Sequence, residues 1–306
     1  MTSLKVNSAL AATIVLWASA FVGIRYGLTT YSPGSLALLR FIVASFSMAV
    51  IYRSMKIKKS VQWMDRLQLL FLGMVGIGLY NICLNYGEMT VSAGMASFII
   101  GLMPVMTIIM SVFFLKEQQG MVVWFGVAVS FLGLFIIILG EQTQVQLSGG
   151  VWIIVISAFT GAVYSLMSRH YLQRYHPVAV TSWIIWGGTL MLMMFFPALA
   201  GEILQANSQA TLAVIYMGVF PAALAYVAWS YVLNHLPASN AAMYLYGLPI
   251  VSTLMGFIFL HEMPSLLSFI GGLIALAGAF IANRFRLSQS LKTNHAAIGN
   301  ISSAKV

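Results

Sequence analysis

Long apolar stretches, separated by short polar breaks, follow one another along almost the whole chain. Most contain the roughly 20 residues that a helix needs to cross the hydrocarbon layer of a membrane. Barrel strands are about half that length, and a helix satisfies its own backbone hydrogen bonds in lipid. The pattern predicts an all-α integral membrane protein with ten transmembrane helices, at about residues 8–28, 33–52, 67–87, 91–114, 119–139, 149–168, 178–200, 209–232, 238–260 and 266–284.

The composition agrees with this class and excludes a soluble globular protein. Of the 306 residues, 60% are hydrophobic and only 7% are charged. Such a chain has too few polar side chains to cover a surface that faces water. The single cysteine, Cys83, permits no internal disulfide, and we interpret it as a small apolar residue of the third span.

The basic residues predict the orientation, because positively charged loops stay in the cytoplasm. With the amino terminus in the cytoplasm, that side collects Lys5, Arg53, Lys56, Lys58, Lys59, Arg66, Lys116, Arg169, Arg174, Arg284, Arg286, Lys292 and Lys305. Only Arg25 is left on the other side, while Arg40 lies within the second span. The net charge of +9 is therefore a topology signal. We expect contact with membrane lipid and no binding of nucleic acid.

An internal repeat divides the chain into two halves. Residues 101–117, GLMPVMTIIMSVFFLKE, align without a gap on residues 246–262, YGLPIVSTLMGFIFLHE. At the same shift of 145, two glycines of one half meet two of the other, which places Gly126 on Gly271 and Gly133 on Gly278. A shift smaller by one residue places Arg25 on Arg169. Shared apolar composition alone would not keep proline, glutamate and glycine in one register.

A unit of five helices that is repeated once must point in opposite directions in the membrane, because five is odd. This is the inverted-topology plan of many secondary transporters, whose substrate site lies near the midplane between the repeats. The predicted units are residues 1–140 and 141–284, followed by a flexible cytoplasmic tail at 285–306. Ala18-Ser19-Ala20 would also suit a signal-peptide cleavage site. We expect no cleavage, because the first span has a counterpart at 160–172.

The sequence resembles the EamA-type branch of the drug/metabolite transporter superfamily over about residues 8–284. The resemblance rests on LWASAFVGIRYGL at 16–28, SPGSLALLRF at 32–41, and a pattern used twice, SAGMASFIIGLMPVMTIIMSVFFLKE and SNAAMYLYGLPIVSTLMGFIFLHE. It implies ten helices and a central cavity lined mainly by the first, third and fourth helices of each repeat. It also implies export of amino acids or other small metabolites across the bacterial inner membrane, without naming the cargo.

Polar and aromatic side chains within the spans are candidates for substrate binding. Asn81, Asn85 and Glu88 share one face of the third span, and polar groups at such positions face a cavity or another helix. Interhelical hydrogen bonding is the alternative for the asparagines, and packing is the alternative for the aromatic residues. Glu88 is expected to be solvated at the outer end. The predicted substrate-binding residues are Trp17, Phe21, Asn81, Asn85, Tyr164, Tyr226, Trp229, Ser230, Tyr244 and Tyr246.

Prolines and charged residues are given structural or gating roles. Pro104 and Pro249 are expected to kink their helices; packing is the favoured explanation for the small residues beside them, and a concentration of gating motion at the kinks is the alternative. Glu117 and Glu262 each end a helix and are expected to cap the helix that follows. Arg40 needs a partner inside the membrane and is interpreted as structural, with binding of a substrate carboxylate as the alternative.

The predicted function is that of a secondary transporter, with a monomer as the expected state. Amino acids or similar amphipathic metabolites are the favoured cargo; purine-like or nucleoside-like metabolites and lipophilic drugs are the alternatives, with proton coupling left open. No acidic residue lies at the middle of a predicted span, which disfavours proton-coupled cation extrusion. The chain lacks the His-Glu-x-x-His, Gly-x-Ser-x-Gly and P-loop patterns. We therefore expect no enzyme activity, metal or cofactor.

Overall fold

Helices form all the regular structure in the part of the chain that the structure describes. The computed structural model describes residues 2–55, 57, 59–116, 118–141, 149–235 and 244–303. The first repeat contains α1 (Thr2–Gly27), α2 (Pro33–Ser54), α3 (Trp63–Gly73), a π-helical turn (Met74–Leu79), α4 (Tyr80–Gly87), α5 (Ala93–Ile100), α6 (Met103–Leu115) and α7 (Met121–Glu141). The second contains α8 (Gly149–Leu172), α9 (Pro177–Leu192), a 3-10 turn (Met193–Phe195), α10 (Phe196–Glu202), α11 (Ser208–Val219), a π-helical turn (Phe220–Leu224), α12 (Ala225–His235), a 3-10 turn (Leu245–Gly247), α13 (Leu248–Leu260) and α14 (Leu266–Ser303).

The membrane class predicted from the sequence is confirmed. Nine helical segments of the described residues are long and apolar enough to cross a membrane, and the apolar segment Leu245–Leu260 is shorter. Residues 236–243 lie outside the described part, so the predicted span at 238–260 is seen only in part. The count of ten spans, the cytoplasmic position of both termini and the flexibility of the tail stay predictions.

The two repeats pack against each other through equivalent pairs of helices. α1 packs against α12 as α8 packs against α4, and α1 packs against α13 as α8 packs against α6. In the same way, α3 packs against α9 and α11 against α2. The pairing relates the halves by an approximate two-fold axis, as the sequence repeat predicts.

Two close contacts show that the repeats run in opposite directions. At the end of α1, Arg25 Nη1 donates a hydrogen bond of 2.6 Å to the carbonyl oxygen of Glu88. At the start of α8, the backbone of Gly150 lies against Gly87, the residue before Glu88. The end of α1 and the start of the equivalent helix α8 therefore lie at the same face of the bundle. We call it the Arg25 face; it is the extracytoplasmic face in the predicted topology.

Local irregularities recur at equivalent positions in the two halves. The π-helical turns begin at Met74 and Phe220, one residue from the repeat shift of 145. α6 and α13 both end at a residue in the left-handed conformation, Lys116 with φ of 53° and His261 with φ of 55°. Neither residue is glycine, so the repeat preserves a backbone shape as well as a hydrophobic pattern.

The last helices of the repeats, α7 and α14, meet along the glycines that the repeat had aligned. A Cβ atom added to Gly126 would lie 2.8 Å from the carbonyl oxygen of Gly278. One added to Gly133 would lie 2.6 Å from the carbonyl oxygen of Gly271. Ser130, between the two, donates a hydrogen bond of 2.9 Å to the carbonyl oxygen of Ala275. The two backbones are in direct contact, and only glycine permits this approach.

Pro104 and Pro249 each stand in the first turn of a new helix. α5 ends at Ile100, and α6 begins at Met103 with Pro104 next to it. α13 begins at Leu248, after a 3-10 turn, with Pro249 next to it. The structure thus breaks the helical span just before each proline, where the sequence predicted a kink, because proline is accommodated at the start of a helix and not in its interior.

Candidate functional site

Three polar side chains form a column along α4. Asn81, Asn85 and Glu88 are almost fully buried, with 3%, 0% and 0% of their surface exposed. α4 follows the first π-helical turn, and Asn81 Nδ2 donates a hydrogen bond of 2.8 Å to the carbonyl oxygen of Ile77 in that turn. π-helical turns leave carbonyl groups poorly paired and often occur at functional sites. The column therefore begins at a backbone irregularity that Asn81 stabilises.

Arg40, on α2, reaches the inner end of this column. Its Nη1 donates a hydrogen bond of 3.3 Å to Asn81 Oδ1, while its Nε has no partner among the described residues. The guanidinium carbon lies 5.4 Å from the centre of the Phe41 ring. Only 7% of Arg40 is exposed, so a strong cation is held inside the bundle with part of its donor capacity unused.

Asn85 joins the column to the start of α2. Its Nδ2 donates a hydrogen bond of 2.9 Å to the carbonyl oxygen of Pro33, and its Oδ1 has no partner among the described residues. The interhelical bonding considered for the two asparagines is therefore real: Asn85 bonds α2 directly, and Asn81 bonds it through Arg40. Asn85 still presents a free acceptor inside the protein.

Glu88 is buried, and the expectation that it would be solvated is wrong. Both of its carboxyl oxygens lack a hydrogen-bond partner in the described part of the chain. Arg25, Arg40 and Glu262 all act on it electrostatically. The sequence placed Glu88 correctly at the end of a span, but it could not reveal that the ends of α1 and α13 cover that position.

A charged cluster closes the Arg25 face above Glu88. Arg25 Nε and Nη2 donate hydrogen bonds of 2.8 and 2.6 Å to Glu262 Oε1, and Nη1 binds the Glu88 carbonyl oxygen. Glu262 Oε2 accepts a bond of 3.3 Å from the amide of Ala93. We call these groups the Arg25 clasp. It joins α1 and the end of α4 to the start of α5 and to Glu262, the second residue after α13, so it connects the repeats.

The structure corrects which helix Glu262 caps. Its carboxylate was expected to cap α14, the helix that follows, but it caps α5 of the other repeat. His261 adopts its left-handed conformation just before Glu262, at the point where the chain leaves α13. Sequence reasoning missed Arg25 as a site residue, although its alignment on Arg169 was a usable signal. Glu117, the repeat equivalent of Glu262, lies outside the described residues.

An aromatic cluster lies beside the polar column. The Trp17 ring is 5.4 Å from the ring of Tyr226, edge to face, and 5.6 Å from the ring of Trp229. Trp17 Nε1 donates a hydrogen bond of 3.1 Å to the carbonyl oxygen of Pro221, in the second π-helical turn. Arg40 is within electrostatic range of Tyr226. The structure therefore brings together Trp17, Tyr226 and Trp229 next to the Arg40 end of the column.

The other predicted binding residues are more scattered. Phe21 is buried in the main core, and the side chain of Tyr164 packs against Gly76 in the first π-helical turn. The hydroxyl group of Tyr246 donates a hydrogen bond of 3.0 Å to the carbonyl oxygen of Ala279, on α14. Tyr244 is 51% exposed. The side chain of Ser230 lies outside the described part.

The two repeats make the same close backbone contacts at equivalent positions, but the side chains at those positions differ. Gly73 lies against the carbonyl oxygen of Ile184, and Gly218 lies against that of Arg40. These are equivalent contacts, since Gly73 aligns on Gly218 and Arg40 on Ile184. One half thus places isoleucine where the other places a buried arginine. The scaffold is symmetric, but the unpaired polar atoms differ: the first repeat holds those of Arg40, Asn85 and Glu88, and the second holds one each on Trp183, Thr253 and Asn283.

Comparison with known proteins identifies the family. The EamA-like transporter family matches residues 5–139 and 148–284. The chain is 34% identical over 265 residues to the uncharacterized transporter YdfC of Bacillus subtilis, covering 87% of this chain and 86% of that protein. It is 31% identical over 282 residues to a probable terminal-alkyne amino-acid exporter of Streptantibioticus cattleyicolor, covering 92% and 94%.

A solved crystal structure shares the fold, with a TM-score of 0.61 at 18% identity over 90% of this chain and 95% of that one. The family match covers both halves of the chain, in agreement with the repeat seen in the sequence and the structure. The family and these relatives are transporters rather than enzymes. The chain belongs to the EamA-like transporter family and is a multi-pass membrane transporter.

Proposed function

We propose that the chain exports amino acids or similar small amphipathic metabolites across the bacterial inner membrane by alternating access. The observation that supports this most directly is the buried pairing of a polar column with an aromatic cluster between the repeats. Sites for small molecules combine an apolar wall with a few polar groups that fix orientation. In a transporter with inverted repeats, such a site is expected between the halves.

The cargo class agrees with the chemistry of this site. Trp17, Tyr226 and Trp229 offer a surface for an apolar body, and unpaired atoms of Arg40, Asn85 and Glu88 offer both donors and acceptors. One of the relatives is a probable amino-acid exporter. A purine-like cargo would use the aromatic surface but would leave the guanidinium group of Arg40 and the carboxyl group of Glu88 without a matching group.

Alternating access requires contacts that close one face and can be released. The Arg25 clasp is such a contact at the Arg25 face. At the opposite face, Arg174 Nη1 lies 3.2 Å from Asp65 Oδ2, and Lys59 Nζ donates to the carbonyl oxygen of Arg174. These basic residues gather at one face, which supports a cytoplasmic location for it and for both termini.

Proton-coupled export is a second candidate, and the burial of Glu88 favours it. The sequence offered no acidic residue inside a span, but the structure encloses this carboxyl group completely. Carboxyl groups buried in membrane proteins frequently carry protons in pumps and transporters. The test of function therefore has to separate facilitated flux from flux driven by a proton gradient.

The test is uptake into proteoliposomes that contain the purified protein. Labelled amino acids, nucleobases and one lipophilic cation are offered with and without an imposed pH gradient, and empty liposomes serve as the blank. Selective amino-acid flux is expected, with Asn85→Ala and Trp229→Ala reducing it. Asn207→Ala is the matched control, because Asn207 is an exposed cap at the start of α11.

Two outcomes would contradict the proposal. Flux of the cation alone, strictly dependent on the gradient, would identify a drug/proton antiporter. Flux of nucleobases without amino acids would assign the aromatic cluster to a purine-like cargo. Amino-acid flux that appears only with the gradient would keep the cargo class and select the proton-coupled mechanism.

A further inference from the structure

Unpaired polar atoms of opposite character are buried together in the first repeat. Arg40 contributes a donor, Nε; Asn85 contributes an acceptor, Oδ1; and Glu88 contributes two acceptors, both carboxyl oxygens. Burying such a group without a partner is costly, more so when it is charged. Native proteins keep few of them, and each calls for an explanation such as a ligand. Here three side chains with such atoms, one on α2 and two on α4 and its C-terminal cap, lie near one another.

Arg40 and Glu88 do not form an ion pair with each other. Arg25 pairs with Glu262 and Arg174 pairs with Asp65, whereas no ion pair joins Arg40 to Glu88, both of which the structure describes. Arg40 bonds Asn81 on α4, and Glu88 follows seven residues later, just after the end of α4, about 10 Å further along the helix axis. Yet the guanidinium group of Arg40 and the carboxyl group of Glu88 are close enough to act on each other electrostatically. The basic and the acidic group are therefore held apart, and Asn85 lies between Asn81 and Glu88 in the column.

Packing does not require this arrangement, as the second repeat demonstrates. The positions equivalent to Arg40, Asn81, Asn85 and Glu88 hold Ile184, Tyr226, Ser230 and Leu233. Ile184 is buried and makes the same close backbone contact with a glycine that Arg40 makes. An apolar residue thus fills the equivalent site of the fold, and the charges in the first repeat need a reason other than stability.

The missing partner must itself carry separated charges of opposite sign. A carboxylate matches the guanidinium of Arg40, whose donors form a fork suited to two oxygens. An ammonium group has three donors and no acceptor, which matches the acceptors of Asn85 and Glu88. An α-amino acid carries both groups on one carbon atom. Its side chain would extend towards Trp17 and Tyr226, which border the Arg40 end.

We propose that Arg40, Asn85 and Glu88 form a receptor for the zwitterionic head of an α-amino acid, with the carboxylate on Arg40 and the ammonium on Asn85 and Glu88. The inference rests on the proposed function and specifies which part of the cargo is recognised. It replaces the structural role predicted for Arg40 with the carboxylate-binding alternative. The receptor selects the head group that amino acids share, while the aromatic cluster selects the side chain.

The test compares leucine with two compounds that each lack one charge: 3-methylbutylamine, without the carboxylate, and 4-methylpentanoate, without the ammonium. Their dissociation constants are measured on purified protein from tryptophan fluorescence. Glu88→Gln should weaken leucine binding by about 10- to 100-fold, the effect of losing a charge-assisted bond, while 4-methylpentanoate changes less than about threefold. Arg40→Lys should weaken leucine and 4-methylpentanoate and leave the amine unchanged.

Glu202→Gln is the matched control, since this glutamate contacts the Ser32 amide outside the cluster. It should change none of the three constants. Melting temperature and size-exclusion profile in detergent establish that each variant is folded. If Glu88→Gln weakened the binding of leucine and of 4-methylpentanoate equally, the proposed receptor would be refuted, even if wild-type proteoliposomes transport leucine. A wild-type protein that neither binds nor transports leucine would instead refute the proposed function for an apolar amino acid.

Discussion

Removing the charge of Arg25 should open the Arg25 face of the transporter. Arg25 is the centre of the clasp, with two bonds to Glu262 and one to the Glu88 carbonyl oxygen. Arg25→Gln removes the ion pair and leaves Glu262 with the Ala93 amide alone. The substitution acts on contacts between α1, α4 and the end of α13, so it should favour conformations in which these elements separate.

The size of the effect follows from the exposure of the pair. The side chains of Arg25 and Glu262 are 28% and 22% exposed, so they are neither fully buried nor freely solvated. Exposed ion pairs contribute up to about 1 kcal/mol, and breaking a buried pair costs about 3–5 kcal/mol. An intermediate value of about 2 kcal/mol corresponds to roughly a 30-fold increase in the open fraction.

Alkylation of a buried cysteine measures that fraction. Cys83 is first replaced by alanine, and Asn85→Cys then places one cysteine at a position that is 0% exposed behind the clasp. A membrane-impermeant maleimide is added to intact cells, so that it reaches only the extracytoplasmic face. When opening is fast relative to labelling, the rate follows the open population. Arg25→Gln should raise the labelling rate about 30-fold.

Arg174→Gln provides the control, because it breaks the ion pair with Asp65 at the opposite face. An equal increase in labelling from both substitutions would mean general loosening of the bundle, and the reasoning would fail. Unchanged labelling with Arg25→Gln would show that the clasp does not hold this face closed. A higher rate with Arg25→Gln alone would support the clasp as the closing contact.

Three further predictions concern the scaffold and the site. Gly133→Ala should lower the free energy of unfolding by about 1–3 kcal/mol, measured by thermal melting in detergent, because its Cβ would meet α14; Gly201→Ala, which has open space, should be nearly neutral. Trp17→Ala should weaken the binding of leucine more than that of glycine, by roughly 3- to 10-fold, as fluorescence titration would show. A hydrogen bond to the Asp65 carboxylate raises the pKa of Tyr175 above its ordinary value, so this stabilisation is complete below about pH 10 and is lost as the pH rises further. Melting curves from pH 8 to 11 should therefore fall more steeply for the wild type than for Tyr175→Phe.

Much of the fold was predictable, because the length of the apolar stretches, their hydrophobicity and the internal repeat can be read directly from the sequence. The spans follow from apolar stretches, and the alignment of Gly126 and Gly133 on Gly271 and Gly278 anticipates equivalent contacts. The π-helical turns were not predicted, since they depend on how α3 and α11 pack against the other repeat. The local sequence signals for these turns were the two glycines that flank Ile77 in the first and Pro221 in the second.

The site was only partly predictable, for a related reason. The helical spacing of Asn81 and Asn85 placed them on one face, and Trp17, Tyr226 and Trp229 were chosen for their chemistry. The contact of Arg25 with Glu262 joins residues that are 237 positions apart, and the burial of Glu88 depends on both of them. No spacing rule in one repeat reveals which groups of the other repeat approach it.

The glycine contact between α7 and α14 has a consequence for the ancestry of the chain. Gly126 lies against Gly278 and Gly133 against Gly271, so each half offers the same surface to the other. Such an isologous surface is self-complementary. A half-length chain ending at α7 would carry both sides of this contact, and two copies inserted in opposite orientations would dimerise through it. The present protein has the architecture expected from duplication and fusion of the gene for such a dual-topology homodimer.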